Sequence, residues 1–173
     1  IRESRVRGGY AIVVSKVDRQ LFLYKGGRLV KTYDVGLGSR GFNDKICAGD
    51  RATPEGKYRV TKKLAQSRYY KALLINYPND EDRKRFASAK QRREIPYWVG
   101  IGGLIEIHGG GEDSLTRGCV SVDDEVMDKL FARVSVGTSA SATADGPERF
   151  FPRGVAPSDD DSAATGEQRC IAY

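Results

Sequence analysis

Between Tyr10 and Val35 the sequence divides into three short segments, Tyr10-Ala-Ile-Val-Val-Ser, Gln20-Leu-Phe-Leu-Tyr and Leu29-Val-Lys-Thr-Tyr-Asp-Val. This is the feature that most limits how the chain can fold. Each segment is rich in β-branched and aromatic residues, and the breaks at 16–19 and Gly26-Gly27 are polar or glycine turns. Turns of that kind join neighbours antiparallel, so the opening of the chain is predicted to be a β meander.

The rest of the chain continues the β theme. A glycine-punctuated loop runs from Gly36 to Gly49 and ends in Gly49-Asp-Arg-Ala-Thr-Pro-Glu-Gly. Pro54 and Gly56 there fix a turn before the alternating strand Lys57-Tyr-Arg-Val-Thr. Asn76-Tyr-Pro-Asn stops a further strand, and the charged stretch around Phe86 predicts a short, mostly solvated helix over 79–93 capped by Asn79 or Asp80. Gly103 to His108 alternates faces as a strand and runs straight into Gly109-Gly-Gly. Val126, Leu130 and Val134 at helical spacing predict a helix over 123–133 covering the site, with Asp123 and Asp124 as N-cap and dipole partners. A last strand is expected near 134–136. Beyond Asp145 small and acidic residues dominate, so 145–173 is read as a tail or peripheral wrap, with Phe150 and Phe151 as its anchors. Which of Tyr69, Tyr70, Tyr97 and Trp98 face a cleft depends on strand pairing.

A chain of 173 residues is long enough to bury its own core as one domain. Its formal charge of +6, from 29 Lys and Arg against 23 Asp and Glu, is spread along the chain and suits an acidic partner. Zinc-finger spacing, a basic heptad helix and an aromatic RNP-like strand are all missing, which argues against nucleic acid. There is no run of about 18 apolar residues to span a membrane, and Ile1-Arg-Glu-Ser-Arg-Val-Arg-Gly-Gly lacks the apolar stretch of a signal peptide. The chain is expected to be soluble as given, with any targeting segment outside it. Base rates favour Cys47 and Cys170 as plain small residues, while their pairing stays open.

Only one histidine occurs, His108, eleven residues before Cys119. A thiol near its free pKa needs a neighbouring base to become a thiolate, and imidazole is the side chain suited to take that proton near neutral pH. Glycines crowd both residues, and a glycine before a nucleophile lets backbone amides approach a reacting carbonyl. The pair therefore reads as nucleophile and base of an acyl-transfer enzyme. One histidine, scattered cysteines and no CxxC or HExxH leave too few ligands for zinc. No resolving cysteine stands nearby for redox work, and neither a Walker nor a GxGxxG pattern is present for nucleotides.

Four stretches then carry a family resemblance: Gln20-Leu-Phe-Leu-Tyr, Gly49-Asp-Arg-Ala-Thr-Pro-Glu-Gly, Ile105-Glu-Ile-His-Gly and Thr116-Arg-Gly-Cys. From about Tyr10 to Gly137 the chain resembles the L,D-transpeptidase catalytic domain, the YkuD-type domain. The family signature pairs His-Gly at a strand end with Ser/Thr-His-Gly-Cys. Here these are His108-Gly109 and Thr116-Arg117-Gly118-Cys119. Arg117 replaces the usual histidine, Ser121 stands where Arg or Asn is common, and the His-to-Cys segment is short. A branch with Ile-His-Gly closely followed by Thr-x-Gly-Cys is the nearer likeness, and Ile75-Asn-Tyr-Pro-Asn before a charged helix resembles it too.

The resemblance implies a mainly β sandwich or barrel with a few short helices around the active site, formed by a catalytic domain over 1–144 followed by the tail at 145–173. It implies that Cys119 attacks the carbonyl of the third-position diamino acid in a peptidoglycan stem peptide and forms a thioester. His108 would be the base, oriented by the Gly109 backbone carbonyl, with Glu106 a weaker candidate for that role. The backbone amides of Gly118 and Cys119 would hold the oxyanion, and Arg117, Thr116 and Ser121 would contact substrate, Arg117 through a carboxylate. No metal or organic cofactor is implied. An amine acceptor would make the chain a transpeptidase. Water would make it a carboxypeptidase, endopeptidase or amidase, the last releasing a peptidoglycan-attached peptide or protein. A non-catalytic envelope-binding module is the alternative of a different class. Each reading places the chain in the periplasm or otherwise outside the cytoplasm.

Overall fold

The computed structural model describes residues 2–40, 42–113 and 115–145. Strands β1 (Tyr10–Ser15), β2 (Gln20–Lys25) and β3 (Arg28–Asp34) form the expected meander. Ile12 lies opposite Leu23 and Val14 opposite Leu21. Those four side chains point into the main core, while Ala11, Val13, Phe22 and Tyr24 form a second buried cluster. The two-residue period of a strand thus supplies both faces with apolar groups. A short helix the sequence did not suggest, α1 (Arg2–Arg7), rests against β1 and β2.

Five more strands complete one mixed sheet: β4 (Gly56–Ser67), β5 (Tyr70–Ile75), β6 (Glu106–His108), β7 (Val120–Ser121) and β8 (Ser139–Thr143). The order is β3-β2-β1-β8-β4-β5-β6-β7. Gly36, just past β3, bridges Ser121 of β7, so the two ends of the sheet meet and the fold closes like a barrel. Around this core, Leu21, Leu23, Leu37, Leu73, Met127 and Leu130 are completely shielded from solvent. Each such side chain contributes about 1.5–3 kcal/mol of hydrophobic stabilisation.

The closing strand is not where the sequence put it. Val134 caps the preceding helix, its N–H donating to Leu130 O, and the chain turns at 135–138 before β8 begins at Ser139. β8 then inserts between β1, to which it runs parallel, and β4, to which it runs antiparallel. Its Ser-Ala-Ser-Ala-Thr sequence has weak strand propensity, and the two flanking ladders override it. Strand β4 extends well beyond the predicted Lys57–Thr61, and β6 keeps only the last three residues of the predicted Gly103–His108.

Helix α2 (Asp80–Gln91) carries a capping box, with the Asn79 side chain on the first-turn amides and Asp82 reaching back to the Asn79 N–H. Helix α3 (Asp124–Arg133) buries Met127 and Leu130 and packs on β5. Asp123 does not cap it through its side chain. Instead Asp123 Oδ1 accepts from the Glu112 N–H at 3.3 Å, and Asp124 Oδ1 accepts from the Gly110 N–H at 2.8 Å. The acidic pair anchors the glycine loop after β6 rather than closing the helix end.

Cys47 is disulfide-bonded, which corrects the expectation of a plain small residue there. It is buried in a satellite cluster with Ala89, Ile95 and Val99 beneath α2. Cys170 and the anchors Phe150 and Phe151 lie outside the described residues, as does the whole proposed tail apart from Asp145.

Candidate active site

Strands β6 and β7 run side by side and parallel, with Ile107 opposite Val120 and His108 opposite Ser121. That register places Cys119 immediately before β7, level with the start of β6, and His108 at the end of β6. Two residues eleven apart in sequence are therefore brought to adjacent strands. Cys119 is half-buried and is the free cysteine among the described residues. Its Sγ lies 3.7 Å from Leu104 O. Burial pushes its thiol pKa up from the ordinary value. The Glu106 backbone N–H pulls it back down, the Glu106 carboxylate pushes it up, and the Lys45 ammonium lowers it. Burial prevails, so the resting group is a thiol that needs a base to react.

His108 is only 4% exposed, and its Nδ1 stands 2.6 Å from Gly109 O. A carbonyl oxygen can only accept, so this contact assigns a proton to Nδ1, and in the neutral ring the lone pair is then on Nε2, the tautomer a general base requires. Glu106 has no part in that contact. Tyr69 stacks on the imidazole, with centroids 4.6 Å apart and planes inclined by 24°. The stack fixes the plane of the ring from the solvent side, since Tyr69 is itself exposed. Of the other aromatics, Tyr70 turns its hydroxyl to Asp128 of α3, and Tyr97 and Trp98 pack edge to face on each other while exposed.

The loop that delivers Cys119 is built by Thr116 and Gly118. Thr116 Oγ1 donates to Cys119 O at 2.6 Å and accepts from the Gly118 N–H at 3.1 Å. Thr116 N–H donates to Leu37 O and its carbonyl accepts from Ser39 N–H, which stitches the loop to the chain beyond β3. The hydroxyl expected to contact substrate thus shapes the turn that carries Cys119. Equally, the Gly118 N–H expected in an oxyanion site is committed to Thr116. Gly118 has φ +130°, and a Cβ there would come within 2.6 Å of Ala52 O. Both backbone conformation and space demand glycine. At Gly109 a Cβ would lie 2.4 Å from Asp124 Oδ1, so a side chain there would push aside the carboxylate that holds the Gly110 N–H.

Ser121, also expected to contact substrate, is 0% exposed, with its backbone paired to Gly36 on one side and to His108's strand on the other. It belongs to the sheet behind the site because β7 is buried on both sides. Arg117 is exposed on the loop that carries Cys119.

The loop facing this turn is held by a buried ion pair that the sequence reading did not single out. Lys45 and Asp50 meet at 2.7 Å with side chains 4% and 6% exposed. Asp50 also accepts from the N–H groups of Ile46, Cys47 and Ala52, and Lys45 donates to Cys47 O. The only sequence trace of this network is the Gly49-Asp50 step of the glycine-punctuated loop. Nothing in one-dimensional pattern marks Lys45, and the contacts that Asp124 and Tyr69 make here are tertiary ones.

The family model for the L,D-transpeptidase catalytic domain, YkuD, matches residues 9–142, the whole stretch that carries these strands and the His-to-Cys loop. The chain belongs to that family. It is 32% identical over 130 residues to the "Putative L,D-transpeptidase YafK" of Escherichia coli K12, a match that covers 72% of this chain and 46% of that protein. The chain thus spans about half the length of the relative it matches. Among solved structures it is similar to Bdellovibrio bacteriovorus Bd1075, with 25% identity, a TM-score of 0.57 and coverage of 79% of this chain and 48% of that one. The helical cell shape determining protein Pgp2 of Campylobacter jejuni shares the fold, with 22% identity, a TM-score of 0.61 and coverage of 80% and 48%. So does an L,D-transpeptidase of Stackebrandtia nassauensis, at 14% identity, a TM-score of 0.53 and coverage of 80% and 57%. The L,D-transpeptidase domain is mainly β, as the strand pattern required.

Proposed function

We propose that this L,D-transpeptidase domain is a cysteine acyltransferase acting on peptidoglycan stem peptides, with Cys119 as nucleophile and His108 as base. The observation that carries the reading is the 2.6 Å contact of His108 Nδ1 with Gly109 O, which puts the neutral ring's lone pair on Nε2, on the strand beside the half-buried thiol. Family membership supplies the substrate class.

In this reading Nε2 takes the Sγ proton, and the thiolate adds to the carbonyl carbon of the third-position diamino acid. The oxyanion is received by the Cys119 N–H, because Gly118 donates to Thr116. One such donor is worth about 3 kcal/mol in acyl transfer. As the tetrahedral species collapses, the C–N bond breaks and His108 returns its proton to the leaving amine, giving a thioester. An amine acceptor then yields a cross-link, whereas water yields a released peptide or protein. Arg117, exposed one residue before Gly118, is the candidate partner for a substrate carboxylate through its planar fork. Such chemistry places the domain outside the cytoplasm, where its polymer lies. Among the described residues no helix is long and apolar enough to cross a membrane.

The test is incubation with purified tetrapeptide-bearing, cross-linked and protein-attached muropeptides, read by mass spectrometry of the products and of the intact protein. A thioester on Cys119, together with new cross-links or an exchanged terminal residue, is the expected result. Cleaved products alone would reassign the domain as a hydrolase at the same thioester. Cys119→Ala should abolish both, and undiminished turnover in that variant would end the proposal.

A further inference from the structure

With Gly109 O on His108 Nδ1, Glu106 is not needed to orient the imidazole. Its position still sets it apart. Glu106 begins β6, two residues before His108, and in a strand that spacing puts both side chains on one face, about 6.6 Å apart along the chain. Ile105 and Ile107 take the other face and enter the core. The parallel register, with Ile107 opposite Val120, sets Glu106 level with Cys119, one step before β7. The backbone agrees, because residues two apart in a strand point their polar groups to the same side. Leu104 O lies 3.7 Å from Sγ, and the Glu106 N–H also acts on the sulfur. Glu106 thus stands half-buried beside the thiol, on the face of the sheet that carries the imidazole.

Among the described residues the Glu106 carboxylate has no hydrogen-bond or ion-pair partner. The Lys45 ammonium, which also acts on the thiol, is paired with Asp50. Further carboxylates stand on this side of the site. Asp124 Oδ1 holds the Gly110 N–H, and on the loop after His108 the Glu112 carboxylate is repelled by those of Asp123, Asp34 and Asp113. A half-buried carboxylate is screened less than an exposed one, so an ammonium brought to Glu106 gains a charge-assisted hydrogen bond, stronger than a neutral one. Left bare, the same charge opposes ionisation of the Cys119 thiol. A cation at this point satisfies the carboxylate and removes that opposition.

We infer that Glu106 receives the ammonium of an amine acceptor and so directs the thioester toward transfer rather than hydrolysis. This rests on the acyl-transfer reading of Cys119 and His108. Held beside the thioester, the acceptor loses one proton to solvent, its lone pair adds to the carbonyl carbon, and the C–S bond breaks. A second proton passes through His108 Nε2 to Sγ, so the products are an amide and the free thiol. Water carries no charge and gains no ion pair from the carboxylate.

The test forms the thioester from a purified tetrapeptide muropeptide and lets two nucleophiles compete for it. One is the side-chain ammonium of the diamino acid in a second copy of that muropeptide. The other is hydroxylamine, which is uncharged near neutral pH. Mass spectrometry reads the cross-linked dimer and the hydroxamate. In Glu106→Gln the ratio of dimer to hydroxamate should fall about tenfold, the loss of one charge-assisted hydrogen bond. Glu106→Asp, which keeps the charge, should restore most of the ratio. Glu106→Thr suits a strand and should repeat the loss, which keeps the inference open to refutation if the Gln variant does not fold. An unchanged ratio in the Gln or Thr variant, or hydroxamate without dimer in the unaltered chain, would overturn the inference and leave the thioester standing. No hydroxamate at all would instead remove the acyl-transfer reading, and the inference with it.

Discussion

The meander and the quarter of the same sheet that holds the candidate site are held together by different means. Strands β1 to β3 pair over six or seven residues each, and their alternating side chains fill two apolar clusters. Strands β6 and β7 have three and two residues, and what fixes them is a set of polar contacts: Thr116 to Cys119 and Gly118, Asp124 to Gly110, Asp50 to Lys45 and three amides. Hydrophobic burial is non-directional and tolerates small shifts, whereas hydrogen bonds lose strength steeply with angle. The region that holds the candidate site is thus built from the interaction that sets positions most sharply.

That contrast can be broken from either side. The largest effect is expected at His108→Ala, where loss of the general base should lower acylation by about 10²–10⁴-fold with the fold retained. Its pH dependence sharpens the point. Burial raises the Cys119 thiol, so without the base alkylation should climb only at pH values above the ordinary cysteine range. An iodoacetamide rate profile equal to that of the unaltered chain near neutrality would sink the assignment.

Asp50→Ala should come next. It leaves the Lys45 ammonium buried without its partner, and breaking such a pair costs about 3–5 kcal/mol. Chemical denaturation measures the loss, and activity per folded molecule should fall with it because the loop facing Gly118 is displaced. Leu21→Ala in the meander should cost about 2–5 kcal/mol in the same denaturation experiment, yet leave activity per folded molecule intact. If the two variants lose activity in equal proportion to stability, the division of labour between the halves is wrong. The smallest effect is expected at Tyr69→Ala. Removing a ring stack worth about 0.5–1.5 kcal/mol should slow acylation a few-fold, alter its pH profile and leave stability nearly unchanged. Tyr69→Phe should restore both rate and profile, since the ring and not the hydroxyl makes the contact.

The sequence alone determined the meander, because each of its strands writes a two-residue apolar period between short turns, and helix α2, because a capping residue, Asn79, stands just before its charged stretch. It also singled out His108 and Cys119 as the candidate pair, since one histidine and a Gly-Cys step amid glycines leave few other places for acyl-transfer chemistry. Tertiary structure decided the rest. β8 is a strand because two ladders hold it, although Ser-Ala-Ser-Ala-Thr has little tendency of its own. Thr116 and Ser121 were drawn into the scaffold, and Gly118's amide was taken by its neighbour, by loop closures that no local pattern encodes. Tyr69 reached His108 across the β5–β6 pairing. Local interactions act between near neighbours and leave a periodic trace in the sequence. Contacts between distant segments depend on how the sheet closes, which exists only in the folded chain.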